Sequence, residues 1–290
     1  MAIKIIINAD DLGKNNQTNQ AIGEALRLHY ITSASILANS QTWKEIYKIV
    51  KNNSQASFGV HLNLTEGSCL IYNDILRRYH LVDENNEFTK QSLNLRQYPN
   101  ELLNAIFEEW DAQVYKVTIE EGIPITHFDG HHHIHAIPGL KPVLIRLIQK
   151  YHVPCIRNQY CKPLKFYLKR RKNKPLILES NICSASSNLA NKVKSSPMRL
   201  LTRLSRFIKD ELKKHMWTYR IRQSAHITNY FDAYETACND LEKGCQYPNR
   251  CSVELMCHPG HPQFSKEYEM IKSSRIQRFC NAELISYKDL

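Results

Sequence analysis

The chain has 290 residues, of which 42% are hydrophobic and 23% are charged, and its formal net charge is +11. This length can bury a large core, and the composition is that of a globular protein rather than a disordered chain. No stretch approaches 18 consecutive apolar residues, so no transmembrane helix is predicted. The short apolar run at the start of the chain meets two carboxylates at once, which does not fit a secretory signal.

Strands and helices are predicted to alternate through the first half of the chain. A continuous apolar run over residues 3–8 predicts a first strand that is buried on both faces. Residues 68–100 carry no periodic pattern and are expected to be irregular. Further strands are predicted at 32–38, 58–64, 125–129, 153–157 and 254–257, and helices at 17–29, 44–52, 101–121 and 141–151.

This alternation is typical of parallel βα units and predicts an α/β fold. In such folds the chemistry lies at the carboxyl ends of the strands. Polar residues cluster at or near the predicted strand ends, and scattered structural histidines would have no reason to do so. These residues are Asp10, Asp11, His61, Asp129, the histidine run from 131 to 135, Arg157 and His258.

Asp10 and Asp11 directly follow the first predicted strand. Because adjacent side chains point in different directions, one carboxylate can bind a metal ion while the other serves as a general base. The alternative is a helix N-cap, since a helical pattern begins a few residues later. Both interpretations stay open on the residues alone.

Four histidines stand within five residues, at 131, 132, 133 and 135, although the chain has only 13. In an extended backbone His131, His133 and His135 share a side, and in a coiled backbone His131 and His135 share a face. We favour His131 as a metal ligand because it is nearest to the strand end, with His133 and His135 as supporting or substrate-binding groups. The alternative is a histidine patch on the surface.

His61 lies in an apolar run, where a lone histidine is more often a core residue than a ligand. Together with Asp11 and His131, however, it gives one carboxylate and two imidazoles, the set found in many mononuclear catalytic metal sites. His258 precedes a Pro-Gly turn, which suits a general acid, although simple packing explains it too. The strand-end residues Asp129 and Arg157 are candidates for contacting substrate or supporting the ligands.

The nine cysteines are odd in number and form no C-x-x-C pair, so reduced thiols are predicted rather than disulfides or a zinc ribbon.

The positive charge is concentrated in residues 161–225, which hold 17 Lys or Arg and three acidic residues. Within it, residues 197–217 fit a basic amphipathic helix that either packs on the fold as a cover or lies on an anionic membrane surface. No nucleic-acid motif accompanies the charge, so nucleic-acid binding is not expected.

Five motifs occur in an order and spacing that resemble one known family. They are NADDLG at 8–13, GVHLNLTEG at 59–67, THFDGHHHIH at 126–135, ELMCHPG at 254–260 and ELISY at 283–287. Together they resemble the YdjC-like carbohydrate deacetylases, which include the ChbG chitooligosaccharide deacetylases. The motifs span nearly the whole chain and are jointly very specific.

The resemblance implies a single deacetylase domain over residues 1–290, with a distorted, (β/α) barrel-like fold into which the basic segment at about 161–225 is inserted. It implies Asp11, His61 and His131 as metal ligands, Asp10 as the catalytic base and His258 as the acid. The cofactor would be one divalent ion. The ligand chemistry favours Zn²⁺ or another transition ion, whereas members of the family are often described as Mg²⁺ proteins.

The expected substrate is an N-acetylated saccharide, either chitooligosaccharide-like or lipid-linked. The alternatives are another metal-dependent amide or ester hydrolase of acylated sugars, and a carbohydrate-binding protein without turnover. The expected location is the cytoplasm, at the inner membrane face if the basic helix binds lipid, and a homo-oligomer is compatible with the sequence. Leu12 stands where the family usually has Phe, and Asn229 where it usually has Asp.

Overall fold

The computed structural model describes residues 3–89, 97–157, 222–223, 227–229, 252–278 and 282–290. Its centre is a parallel sheet, and the prediction of parallel βα units is confirmed. Among the described residues the sheet has nine strands. They are β1 (Ile3–Leu12), β2 (Ser33–Ile36), β3 (Ser57–Leu62), β4 (His127–Gly130), β5 (Cys155–Ile156), β6 (Arg222–Gln223), β7 (Ile227–Asn229), β8 (Ser252–Cys257) and β9 (Ala282–Leu284).

The strands follow the order β6-β5-β4-β3-β2-β1-β8-β7, and β9 pairs with β1. With its helices, this sheet is a parallel half-barrel, so the expected barrel-like α/β class is confirmed. Strands β1 to β5 are neighbours both in the sequence and in the sheet. Their carboxyl ends therefore meet along one edge, where the candidate residues lie.

Strand β1 runs four residues further than the predicted segment 3–8 and ends at Leu12. Its register against β2 shifts between Ala9 and Leu12, and Asp11 has a φ of 70°, in the left-handed region. Such a bulge bends a strand locally and redirects its side chains. Asp10 and Asp11 thus belong to the strand rather than to a turn, and the N-cap of the following helix is Asn15.

Six α-helices are described, and each of them buries apolar side chains in the core. The helix predicted at 101–121 has an apolar stripe of this kind, because Leu102, Ile106, Trp110 and Val114 are all buried. The bounds are α1 (Asn16–Arg27), α2 (Trp43–Asn52), α3 (Asp74–Arg78), α4 (Asn100–Tyr115), α5 (Lys141–Tyr151) and α6 (Ser265–Lys272).

Two predicted boundaries differ from the structure. The helix expected at 101–121 is α-helical only to Tyr115, and the wider turns of a π-helix continue from Lys116 to Glu120. The supposedly irregular stretch 68–100 contains α3, whose N-cap Asn73 accepts from the backbone N–H groups of Ile75 and Leu76. A helix this short depends on its cap, which periodicity does not reveal.

The predicted basic insertion at 161–225, apart from β6, and the predicted helix at 197–217 lie outside the described residues. The cover and membrane interpretations of that helix both stay predictions. Within the described ranges, no helix is long and apolar enough to cross a membrane. Of the nine cysteines, Cys69, Cys155 and Cys257 fall in these ranges, and all three are buried free thiols.

Candidate active site

The carboxyl edge of the sheet brings most of the predicted site residues together. Asp10 and Asp11 come from the end of β1, and His61 from β3, where it pairs in register with Asp129 of β4. His131 directly follows β4, and Arg157 directly follows β5. All of these side chains are buried within the fold.

Asp11, His61 and His131 form a compact set of candidate metal ligands, which we call the ligand group. Their potential ligand atoms all lie within 4.8 Å of one another. Asp11 Oδ1 is 2.9 Å from His131 Nδ1 and 3.4 Å from His61 Nε2. Although it is buried, this oxygen has no hydrogen-bond partner. One carboxylate oxygen and two imidazole nitrogens that converge in this way fit the donor set of a divalent metal ion.

The far nitrogen of each imidazole contacts a second carboxylate. His61 Nδ1 lies 2.7 Å from Asp129 Oδ1, and His131 Nε2 lies 2.8 Å from Glu66 Oε2. Burial opposes a charge on His61, but the Asp129 and Asp10 carboxylates outweigh it and raise the pKa of His61 to about 10. The carboxylates of Asp10, Asp11 and Asp129 that surround His61 therefore favour a positive charge at this position.

Asp10 also borders His61, and its carboxylate belongs to a buried network around the Arg157 guanidinium. Arg157 donates to both oxygens of Asp10, at 2.5 and 2.7 Å, and its Nε donates to Glu254 Oε1 at 2.8 Å. Its Nη2 also lies 2.7 Å from Asp129 Oδ2. Burial would raise the pKa of Asp10, but the Arg157 charge outweighs it and holds that pKa below its ordinary value.

The hydrogen-bond network extends through Glu254 to Tyr287. The Tyr287 hydroxyl donates to Glu254 Oε2 at 2.5 Å, and the ring stacks on His127 with 3.7 Å between centroids. Burial lowers the pKa of His127 to about 3, so this imidazole is neutral. Ser35 also donates to Asp129 Oδ2 at 2.6 Å, which fixes the carboxylate that contacts His61.

His258 follows β8 and lies beside α6. Its backbone N–H donates to Glu267 Oε2 at 2.9 Å, its Nδ1 is 3.5 Å from the same oxygen, and its ring stacks on Phe264. Burial opposes protonation, but Glu267 and Asp10 raise the pKa of His258 above its ordinary value. Gly260 in the next turn has a φ of 80°, and a Cβ there would come within 2.7 Å of the Gln17 carbonyl, so this turn needs glycine.

The histidine run adopts neither of the two regular backbones considered from the sequence. It forms a 3₁₀ segment in which His132 and His133 have left-handed φ values of 50° and 60°. As a result His131 points inward, whereas His132 is exposed and its Nδ1 lies 2.8 Å from Thr65 Oγ1. His135 is buried with neither ring nitrogen hydrogen-bonded, and burial lowers its pKa to about 3. His133 Nδ1 is likewise buried without a partner.

Sequence reasoning missed several residues that the structure places at the site. Glu66, Glu254 and Tyr287 each lie inside a motif that carried the family resemblance, but the motifs did not indicate what these side chains contact. Glu267 had no such signal, because it is on α6 and reaches His258 only through the packing of that helix.

Glu66 lies at the solvent side of the site, and its carboxylate contacts the His131 ring and the Lys14 ammonium. The hydrogen bond from His131 outweighs burial, and Lys14 adds to it, so the pKa of Glu66 falls to about 2. The Lys14 ammonium lies 2.9 Å from Glu66 Oε1 and 3.0 Å from Oε2. Glu66 is therefore ionised at neutral pH.

Comparison with curated proteins finds several carbohydrate deacetylases. The protein from Brevibacillus brevis is 31% identical over 155 residues, which cover 52% of this chain and 58% of that protein. The one from Halalkalibacterium halodurans is 32% identical over 56% of this chain and 66% of its own length. The one from Oceanobacillus iheyensis is 28% identical over 73% of this chain and 90% of its own length. The matched part thus spans less than two thirds of the first two relatives.

Among solved structures, a crystal structure from Enterococcus faecalis V583 matches with a TM-score of 0.65 at 21% identity. That protein is provisionally named a cellobiose-phosphate cleavage protein, and the match covers 100% of this chain and 99% of the other. The likeness supports the parallel half-barrel fold. A family model described as YdjC-like protein matches residues 4–282, nearly the whole chain. The chain therefore belongs to the YdjC-like protein family.

Proposed function

We propose that this chain is a metal-dependent hydrolase that removes the N-acetyl group of an N-acetylated amino sugar and releases acetate. The observation that carries the proposal is the meeting of Asp11, His61 and His131 at the carboxyl edge of the sheet, with Asp10 beside them. The curated relatives are named carbohydrate deacetylases, which supports the substrate class.

The ion would be held by Asp11 Oδ1, His61 Nε2 and His131 Nδ1. One carboxylate and two imidazoles suit Zn²⁺ or another transition ion better than Mg²⁺, which prefers oxygen ligands. When bound, the ion supplies Lewis acidity, which polarises the acetamide carbonyl and lowers the pKa of water.

Asp10 is assigned as the base that takes a proton from the attacking water. Its Oδ2 lies 3.9 Å from His61 Nε2, so the carboxylate borders the ligand group. Arg157 holds both of its oxygens, which fixes the orientation and keeps Asp10 ionised and ready to accept a proton. Asp10 is a weak base for the same reason, so it depends on a water whose own pKa is lowered.

His258 is assigned as the acid that donates a proton to the departing amine. Glu267 raises its pKa, so the imidazole carries the proton at neutral pH more readily than a free histidine does. In the balanced reaction, the water oxygen bonds to the carbonyl carbon and the C–N bond breaks. The carboxyl product keeps the water oxygen and becomes acetate when the second water proton passes to the amine or to solvent. The sugar amine leaves with the proton from His258, and the proton held by Asp10 restores His258 through solvent.

The assignment is tested by pairing acetate release with ion binding. Asp10→Asn is expected to keep its ion and lose roughly 10²-fold or more in turnover, because a general base typically contributes 10²–10⁴-fold. His61→Ala is expected to lose the ion itself. Acetate is measured from N-acetylglucosamine, its β-linked dimer and a lipid-linked N-acetyl sugar, and ion content is measured by elemental analysis.

Asp111→Asn is the matched control, since Asp111 is a carboxylate on α4 that pairs with Lys150 at the surface. It is expected to behave as wild type. Wild-type turnover in a folded Asp10→Asn protein would contradict the role of Asp10. Acetate release from O-acetylated sugars alone would favour the ester-hydrolase alternative, and saccharide binding without acetate release would favour a binding protein.

A further inference from the structure

The two imidazoles of the ligand group are oriented in opposite senses. His61 turns Nε2 towards Asp11 and Nδ1 towards Asp129, whereas His131 turns Nδ1 towards Asp11 and Nε2 towards Glu66. Each ring therefore has one nitrogen in the ligand group and the other on a carboxylate, although the two carboxylates come from different parts of the fold.

We propose that Glu66 is a positioning residue that holds His131 with Nδ1 presented to the ion, as Asp129 holds His61 with Nε2 presented. The inference rests on the proposed metal-dependent function and names the ligating atom of each histidine.

The chemistry of neutral imidazole supports this assignment. A neutral ring has one N–H and one lone pair, and an ionised carboxylate can only accept a hydrogen bond. The Glu66 carboxylate therefore accepts a hydrogen bond from a protonated Nε2 of His131. The lone pair of the ring is then on Nδ1, which faces Asp11. Carboxylate partners of this kind fix the ring and raise the basicity of the ligand, and losing one typically costs about 10- to 100-fold in metal affinity.

A second ion held by Glu66, His131 and His132 is the competing explanation, since these three also offer ligand atoms within 4.8 Å of one another. Two contacts weigh against it. The Lys14 ammonium already lies within 3.0 Å of the Glu66 carboxylate, and an ion there would meet that positive charge. His132 Nδ1 is engaged by the Thr65 hydroxyl at 2.8 Å.

Glu66 also affects ion binding by pairing with the Lys14 ammonium. The ammonium is 3.8 Å from Asp11 Oδ2 but only 2.9 Å from Glu66 Oε1. Glu66 thus neutralises a cation that borders the ligand Asp11. Without Glu66, the Lys14 charge repels the ion, and Lys14 can pair with Asp11 in its place.

The loop that carries Glu66 is built rigidly. The Asn63 side chain accepts from the backbone N–H groups of Thr65 and Glu66 and donates to the Glu66 carbonyl at 2.6 Å. On α4, Gln113 in turn accepts from the Asn63 N–H and donates to its carbonyl. The backbone that carries Glu66 is therefore fixed by side chains outside the proposed ligand set, as a positioning role requires.

The test measures Zn²⁺ and Co²⁺ affinity by competition with a chromophoric chelator. We expect Glu66→Gln to bind about 10-fold more weakly than wild type, because the amide oxygen still accepts from His131, and Glu66→Ala to bind up to about 100-fold more weakly. Glu120→Gln is the control, because Glu120 is also a half-exposed carboxylate paired with a lysine, Lys116, and lies away from the site. It is expected to leave affinity unchanged.

Proton NMR of the Co²⁺ protein tests the orientation of the rings without using activity. Wild type is expected to show two exchangeable, strongly shifted ring N–H signals, one from His61 on Asp129 and one from His131 on Glu66. Glu66→Ala should lose the His131 signal through exchange with solvent and keep the other. Adding Lys14→Met to Glu66→Ala should restore part of the affinity but not the signal.

The outcomes separate this inference from the proposed function. Wild-type affinity and both N–H signals in a folded Glu66→Ala protein would overturn the role of Glu66 and leave metal-dependent deacetylation intact. A wild-type protein that binds neither Zn²⁺ nor Co²⁺ would overturn both the role of Glu66 and the metal-dependent function. A second equivalent of ion, lost selectively in Glu66→Ala, would overturn the positioning role in favour of a second site.

Discussion

The candidate site has two walls of opposite character. The inner wall consists of four charged residues that lie on the strands or directly after one and are almost completely shielded from solvent: Asp10, Asp129, Arg157 and Glu254. The outer wall consists of Lys14 and Glu66, whose side chains are 21% and 43% exposed. Both walls consist of charged pairs, and both contact the ligand group.

The difference in burial determines what each wall contributes. A charge in the inner wall that loses its partner is left in a medium of low polarity, which is very costly, whereas a charge in the outer wall is hydrated and screened. We therefore expect changes in the inner wall to alter the free energy of unfolding. Changes in the outer wall should leave the free energy of unfolding nearly unchanged and, under the proposed function, alter the affinity for the ion.

The largest effect is expected for Arg157→Met. It leaves Asp10, Asp129 and Glu254 without their shared guanidinium, and breaking a buried ion pair typically costs about 3–5 kcal/mol. Urea unfolding measures the loss. Arg78→Met is the control, because Arg78 and Glu101 pair in solvent, and it should unfold as wild type does. Equal stabilities of the two variants would contradict the distinction between the walls.

A smaller loss is expected for Tyr287→Phe, which keeps the ring on His127 but removes the hydroxyl that donates to Glu254. A buried acceptor that loses its donor costs about 1–3 kcal/mol, and thermal unfolding gives the value. Tyr79→Phe removes a hydroxyl that donates to the exposed Glu101, so its unfolding should change little. If both variants behave alike, the inner wall does not extend to Tyr287.

The smallest effect is expected from the outer wall and depends on pH. The pKa of Glu66 is lowered from its ordinary value of 4.5 to about 2, so its stabilising contribution is complete above pH 4.5 and is lost as the pH falls towards 2. For such an exposed pair the contribution is under about 1 kcal/mol. The difference in unfolding free energy between wild type and Glu66→Gln should therefore be constant from pH 7 to 5.5 and shrink below 4.5. A difference that grows on acidification would contradict this sign.

Periodicity predicted the fold well where side-chain burial decides the structure. The first strand and the helix at 141–151 have continuous or regularly spaced apolar residues, and both occur in the structure. The end of β1 could not be predicted, because two adjacent carboxylates look like a turn. The bulge that keeps them in the strand depends on pairing with β2, which lies beyond any local window.

The candidate site was predictable in its members but not in their partners. Strand ends and residue types indicated Asp11, His61 and His131, and the structure brings these three together. Asp10 was expected to be the base, but the sequence did not indicate that Arg157 donates to both of its oxygens. That pairing joins residues 147 apart in the chain, so only the strand order of the sheet reveals it.

The strand order also has a consequence for how the chain folds. The three proposed ligand residues lie on or beside β1, β3 and β4, and the contact of His61 with Asp129 closes a loop of 68 residues. The contact of Cys257 with Asn8, which seats β8 beside β1, closes one of 249. Because longer loops cost more entropy to close, the ligand strands are expected to associate earlier on the folding pathway than the strand that brings His258. Under the proposed function, a nascent chain would then be able to bind the ion before it could turn over a substrate.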